Sequence, residues 1–296
     1  MVAETTLAIP VALLATVFYA LSSNLVRAGM DNSRTVGALF VSLSVNVVLL
    51  WVASLLMFDV VVDFWRWRYF VAAGVLAPVV ARFFNYSGID KLGVNVSTPL
   101  TFMYPFVSIA IAVPLLGERL PLPGLVGGVL VILGGIVLAL PDEETALHID
   151  DRKFVLLPLL AAVLYGTSHV FREVGIDLVA SPVTAAAVTT TTSWVVLVGY
   201  LGATRSFGRV RVDRREALLF GAAGLVTSIA IPLLYLAFSF GSVVLVTPIT
   251  NVSPLFVLLF SYVLYRDAEP FTRRVVGGTV LIVVGLVLLA RFSAGG

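Results

Sequence analysis

Apolar residues run along this chain in ten long blocks separated by short polar connections, and within each block they are continuous rather than alternating. The blocks are Leu7 to Arg27, Thr35 to Phe58, Tyr69 to Ser87, Val94 to Leu116 and Leu122 to Leu140, then Phe154 to Phe171, Pro182 to Leu201, Ala217 to Phe238, Val243 to Leu264 and Phe271 to Ala290. Each approaches the ~20 residues that a helix needs to cross ~30 Å of hydrocarbon. Because period-two alternation is missing, helices are predicted rather than the strands of a barrel. The pattern therefore predicts an all-α polytopic membrane protein with ten transmembrane helices. The first block lacks a basic leading segment and recurs inside the chain, so it reads as a span and not as a cleaved signal peptide.

That recurrence organises the whole chain. Leu13 to Asp31 aligns without a gap to Leu159 to Asp177, with eight identities in 19 positions at an offset of 146. Thr98, Pro99, Thr101 and Pro105 recur as Thr247, Pro248, Thr250 and Pro254 at an offset of 149, and Glu118, Gly127 and Gly134 recur as Glu269, Gly278 and Gly285 at 151. Matching landmarks in one order mark a duplication. Residues 1–140 form one five-span unit, 141–153 a linker, and 154–296 the second unit. A unit with an odd number of spans leaves the membrane opposite to where it entered, so its copy must be inserted upside down. Inverted repeats are typical of secondary transporters, whose substrate site lies between the repeats near the midplane.

Composition supports the bilayer and removes other partners. Hydrophobic residues make up 59% of 296 and charged residues 12%, with a mean hydropathy of +1.05, far from a soluble domain. A net charge of +2 is too small to suggest a nucleic-acid partner, and the absence of cysteine rules out disulfides and thiolate metal sites. No cofactor or metal is expected. Thirteen Arg and Lys fall in or beside the loops after spans 1, 3, 5, 7 and 9, and five on the side of the termini, which by the positive-inside rule puts both termini outside.

Two spans in corresponding positions carry prolines six apart beside hydroxyls: STPLTFMYP, with Thr98, Pro99, Thr101, Tyr104 and Pro105, and VTPITNVSP, with Thr247, Pro248, Thr250, Asn251 and Pro254. Proline inside a helix frees a carbonyl that hydroxyls or water must satisfy at membrane depth, and such irregular helices are expected to line the pathway. Arg82 is the one basic residue read as well inside a span, and it shares a helical face with Asn85 and Tyr86. Its cost in hydrocarbon points to a cavity or a partner, such as an anionic substrate group, although an Arg near a span end also snorkels to the interface. Its counterpart is Ile231. Tyr19 and Tyr165 are equivalent mid-helix positions of spans 1 and 6. Asn46 adds an intramembrane amide, and His169, the one histidine in a span, belongs either to the pathway or to packing. The hydroxyl run Thr189 to Ser193 reads as glue between helices. Gly124, Gly127, Gly128, Gly134, Gly277, Gly278 and Gly285 fall on small faces of spans 5 and 10, which suits scaffold packing or a homodimer contact.

Taken together, GERLPLPGLVGGVLVILGGIVL at the end of the first half, EPFTRRVVGGTVLIVVGLVL at the end of the second, and the proline pair before each resemble the EamA-type branch of the drug/metabolite transporter superfamily over essentially the whole chain. The resemblance implies ten helices in inverted five-helix repeats and transport of small metabolites or amphipathic compounds, commonly as export. It also implies termini in the cytoplasm, opposite to the Arg/Lys count, so both orientations stand. The carboxylate inside span 1 that couples small multidrug relatives to protons has no equivalent here. An enzyme is disfavoured by the absence of HExxH, of facing aspartates and of a repeated Ser/His pair, and a retinal protein by the placement of Lys91 and Lys153 in loops. The expected function is a secondary active transporter in the cytoplasmic membrane acting on a small molecule by alternating access, with a solute channel as the alternative.

Overall fold

A computed structural model describes residues 2–29, 35–92, 94–118, 121–139, 153–179, 181–265 and 273–293. Most of the linker expected at 141–153, together with Glu269, lies outside them. Among the described residues no strand occurs. The helices of the first half are α1 (Val2–Gly29), α2 (Thr35–Met57), α3 (Phe64–Gly74), α4 (Ala81–Leu92), α5 (Val94–Thr101), α6 (Tyr104–Leu116) and α7 (Leu122–Ala139). Those of the second are α8 (Leu156–Ile176), α9 (Pro182–Ala203), α10 (Arg214–Phe240), α11 (Val243–Thr250), α12 (Ser253–Tyr265) and α13 (Arg273–Ser293). Seven helical stretches are long and apolar enough to cross a membrane, and shorter apolar helices lie at Leu122–Leu138 and Val243–Val257, against the ten spans expected.

Three of these stretches are interrupted. The proline pairs break their helices where the sequence predicts, between α5 and α6 and between α11 and α12. The third break is unanticipated. Between α3 and α4 the helix breaks at Val75–Val80, where Ala77 is extended at φ −144°, ψ 141°, the conformation that the following Pro78 favours in its predecessor. The two halves differ in length across this break. Ala-Ala-Gly at 72–74 recurs at 222–224, an offset of 150, whereas Tyr86 recurs as Tyr235 at 149. The first copy thus holds one residue more than the second over the same path, and the helix is broken within that stretch. In the second copy α10 runs unbroken from Arg214 to Phe240.

The halves pack with matching contacts. Ser22 Oγ in α1 donates to Ala223 O at 3.1 Å, and its copy Ser168 in α8 donates to Ala73 O at 3.1 Å. Spans 2 and 7 are clipped from both sides, Trp51 Nε1 donating to Thr191 Oγ1 at 2.8 Å and Trp194 Nε1 to Ser44 Oγ at 2.9 Å. Helices α7 and α13 meet backbone to backbone: a Cβ on Gly127 would lie 2.7 Å from Gly285 O, and one on Gly134 2.7 Å from Gly278 O. The glycine faces are thus buried against each other, while Gly124 is buried and Gly277 has open space around it. Outside this seam, Leu125, Val126, Val280, Val283 and Val287 are exposed, as a lipid-facing surface would be.

Glu118 links the halves at one end. Gly117 closes α6 in the left-handed region at φ 68°, a conformation glycine adopts without strain. Glu118 then accepts from Val243 N at 3.0 Å and Val244 N at 2.8 Å, satisfying orphan donors at the start of α11. Burial raises the pKa of this carboxyl, and the two backbone bonds partly oppose the rise.

Packing is uneven from one end of the helix bundle to the other. The face where α1 begins and α13 ends, here the terminal face, holds most of the main core, including Trp67, Phe70, Ala185 to Val188, Phe238 and Val243 to Val246. Toward the opposite loop face, where α1 ends and α2 begins, only a small cluster of Leu39, Leu43, Leu197 and Leu201 joins α2 to α9.

Candidate functional site: a chamber between the halves

The looser packing leaves a cavity of about 710 Å³, within the range of small-molecule sites. Its lining includes the exposed Arg27 in the last turn of α1, so it reaches the loop face. At the other end it is closed by aromatic rings. Tyr104 stands 6.2 Å from Tyr165 and 5.2 Å from His169, ring centre to ring centre, and His169 packs edge-on against Phe238 at 5.8 Å.

The wall is built from repeat-equivalent positions. Tyr19 and Tyr165 both line it, as do Ser23 and its counterpart His169. Thr101 faces in with its copy Thr250, and Tyr104 with its copy Ser253. Spans 2 and 7 contribute Ser42 with Thr189 and Leu43 with Thr190, pairs related by the offset at which Gly224 meets Ser42 and Gly74 meets Thr189. Both halves therefore turn the same stripes inward, as two copies related by a pseudo-twofold axis would.

Chemically the copies differ. Arg82 and Asn85 line one side where the second copy has Ile231 and Leu234. Conversely Arg172 lines the cavity where the first copy has Val26. Arg82 lines the chamber with the Tyr165 and Tyr86 hydroxyls within its electrostatic range; it faces the chamber and is not drawn out to the interface. Arg172 is buried at 8% exposure, its guanidinium lies 5.8 Å from the Tyr235 ring, and its Nε has no hydrogen-bond partner. The carbonyl oxygens of two asparagines are occupied by hydroxyls. Asn46 Oδ1 is 3.0 Å from Thr227 Oγ1 and 2.9 Å from Ser228 Oγ, and Asn85 Oδ1 accepts from Thr101 Oγ1 at 2.9 Å.

Of the residues singled out from sequence, Tyr19, Asn46, Arg82, Asn85, Tyr86, Thr101, Tyr104, Tyr165, His169 and Thr250 are brought together around the chamber. The remainder of the proline motifs stands outside the lining. Pro99, Pro105, Thr247, Pro248, Asn251 and Pro254 are buried and Thr98 half-buried; Pro248 and Asn251 pack on α7, where a Cβ on Gly128 would meet Pro248 at 3.5 Å and one on Gly135 the Asn251 carbonyl at 2.6 Å. These prolines shape the breaks from behind, and the residues that reach the cavity lie within a turn of each break. Several contributors were missed, among them Arg172, Thr189 and Thr190. Arg172 was assigned to a span end and counted with the terminal-face charges, and Thr189 and Thr190 were assigned to packing alone. The available signal was spacing: Tyr165, His169 and Arg172 stand at i, i+4 and i+7, one stripe of α8. The rest of the hydroxyl run does pack, Ser193 Oγ donating to Gly74 O at 2.9 Å. Among the described residues no group of His, Cys, Asp and Glu is arranged to hold a metal ion.

The sequence pattern of the EamA-like transporter family matches this chain twice, at residues 6–140 and 152–291. The chain belongs to the EamA-like transporter family. It is a multi-pass integral membrane protein of a transporter family, and each matched segment contributes one wall of the chamber. A solved crystal structure, described only as that of a protein, is similar over 96% of this chain and 97% of its own length, with a TM-score of 0.80 and 17% sequence identity, which shows a shared fold. Comparison with curated proteins finds no match. In this EamA-like chain the Gly-Glu and glycine features that carry the resemblance have structural work: Glu118 caps α11, and Gly127 and Gly134 seat α13.

Proposed function

We propose that the chain is a secondary active transporter that moves a small molecule across the cytoplasmic membrane by alternating access. One observation supports this most: a chamber walled by matching positions of two copies, reaching the loop face and closed toward the terminal face by Tyr104, His169 and Phe238. In an inverted pair, exchanging the conformations of the two halves closes the open face and opens the closed one, so the asymmetry in packing is one end of a two-state cycle. The reading takes ten crossings in two inverted five-span units, residues 1–140 and 154–296, joined by 141–153. The loop face is cytoplasmic, since it carries the basic loops, and the termini are outside. Substrate contacts come from Tyr19, Asn46, Arg82, Asn85, Tyr104, Tyr165 and His169, with the proline motifs as the flexing points. The surroundings are the bilayer, with the outer faces of spans 5 and 10 available to lipid or to a second copy.

Exchange kinetics test it. Proteoliposomes are assayed for uptake of a radiolabelled panel of amino acids, nucleosides and amphipathic drugs. Saturable uptake accelerated by the same unlabelled compound inside is expected. Linear uptake indifferent to internal compound contradicts it and fits a channel.

A further inference from the structure

We infer that the substrate is a small organic anion whose charged group is held between Arg82 and Arg172, with its body against the rings of Tyr104, Tyr165 and His169. The inference rests on the transport reading and names the cargo class.

Besides the exposed Arg27 at its mouth, two guanidiniums lie deeper in this cavity, Arg82 from the first half and Arg172 from the second. Among the described residues no Asp or Glu lines it. An unneutralised cation away from water is costly, and buried charges in proteins are ordinarily paired. Arg172 has no carboxylate partner: its contact is the ring of Tyr235, and its Nε donor is unused at 8% exposure. Among the described residues Arg82 likewise has no carboxylate partner, only tyrosine hydroxyls in its electrostatic range. Tyr19 and Tyr165 lie within electrostatic range of both guanidiniums, so the two charges act on one volume. The neutral groups agree in sign. Hydroxyls occupy the oxygens of Asn46 and Asn85, which leaves their amides as donors. A site of donors with unspent positive charge is complementary to a carboxylate or phosphate, which accept from guanidinium in a bidentate fork.

The body of the substrate follows from the remaining wall. Tyr104, Tyr165 and His169 form a tilted and edge-on ring cluster, and Ile231 and Leu234 stand where the first copy has Arg82 and Asn85. One end of the substrate meets charge, and the other meets rings and aliphatic surface. The repeat comparison gives the logic: a duplicated chamber became selective when one copy of each pair acquired a cation and the other stayed apolar.

The test uses full-length protein in detergent, titrated with benzoate, phenyl phosphate, benzamide and benzylammonium, with binding read by thermal shift and intrinsic fluorescence. Both anions are expected to raise the melting midpoint by several degrees and the neutral and cationic analogues to leave it in place. Arg82→Gln and Arg172→Gln should each weaken the anions at least tenfold, and the charge-keeping Arg82→Lys and Arg172→Lys should retain part of the response if either glutamine variant fails to fold. Equal binding of benzamide or benzylammonium, no binding by any of the four, or anion binding unchanged in the folded variants overturns the inference. Reagent access to Ser253→Cys from both membrane faces separates the two claims: with access from both faces intact, failure of the anions removes the cargo class alone, whereas one-sided access removes the transport reading beneath it.

Discussion

The hydroxyl of Tyr104 lies 3.0 Å from Thr250 Oγ1, joining the break in span 4 to the break in span 9. Each partner lines the chamber, so this bond crosses between the halves. Tyr104→Phe and Thr250→Val are each expected to cost about 0.6–1.5 kcal/mol of stability, the range for hydrogen bonds within membranes and in proteins generally. In a double-mutant cycle the pair should cost less than the sum of the singles. Thermal unfolding of the four proteins in one detergent measures it, and strict additivity counts against a direct bond.

The seam between α7 and α13 should be intolerant of even a methyl group. Gly134→Ala places a Cβ 2.7 Å from Gly278 O, and overpacking of this kind costs about 1–3 kcal/mol. Gly277 faces open space, so Gly277→Ala should fall within about 0.5 kcal/mol of the parent. Thermostability followed by fluorescence-detected gel filtration compares them; equal effects would contradict the seam.

Glu118 predicts a pH dependence. Burial raises its pKa in the folded state, so the folded protein binds its proton more tightly than the unfolded chain does. Stability from this group is therefore fully present below the unfolded glutamate pKa of about 4.3 and is lost as pH rises through the folded value. Glu118→Gln keeps an acceptor for α11 without the titration. The stability of the parent relative to Glu118→Gln should fall as pH rises from about 4 through the raised value, while Glu118→Ala, which leaves both amides unmet, should lie about 1 kcal/mol below Glu118→Gln at every pH. Melting curves across that range check both.

Orientation is set by charge in this account. With Arg172 inside the chamber, the terminal face keeps Arg66, Arg68, Arg119 and Arg291, four against thirteen on the loop face. The chain has no cysteine, so single cysteines report cleanly. In intact cells an impermeant maleimide should label Val61→Cys, exposed between α2 and α3, and spare Gly208→Cys, in open space between α9 and α10. The reverse pattern would put the termini in the cytoplasm.

The all-helical apolar character, the two-repeat layout and the proline breaks were legible in the sequence because continuous apolarity and repeated proline are local signals. Which side of a break faces the cavity was not. Pro248 and Asn251 turn toward α7 because Gly128 and Gly135 leave room there, a relation between segments far apart in the chain. Arg172 escaped because the apolar block stops at Phe171, whereas α8 continues to Ile176; a helical stripe beginning at Tyr165 carries through the place where hydropathy ends. The break at Val75–Val80 has no copy in the second half, and the single extra residue there becomes visible only when spacing in one copy is measured against the other.

The most direct measurement of alternating access needs no substrate. Ser253 lines the chamber at the start of α12, and Ser253→Cys supplies a single thiol there. In right-side-out and inside-out vesicles an impermeant thiol reagent should label it from both faces, at different rates, while an unreactive solute of the same size is retained. Labelling from the loop face alone would mean a static pocket, and labelling from both faces with leakage of the solute would mean an open pore; either contradicts a transporter built on two exchanging halves.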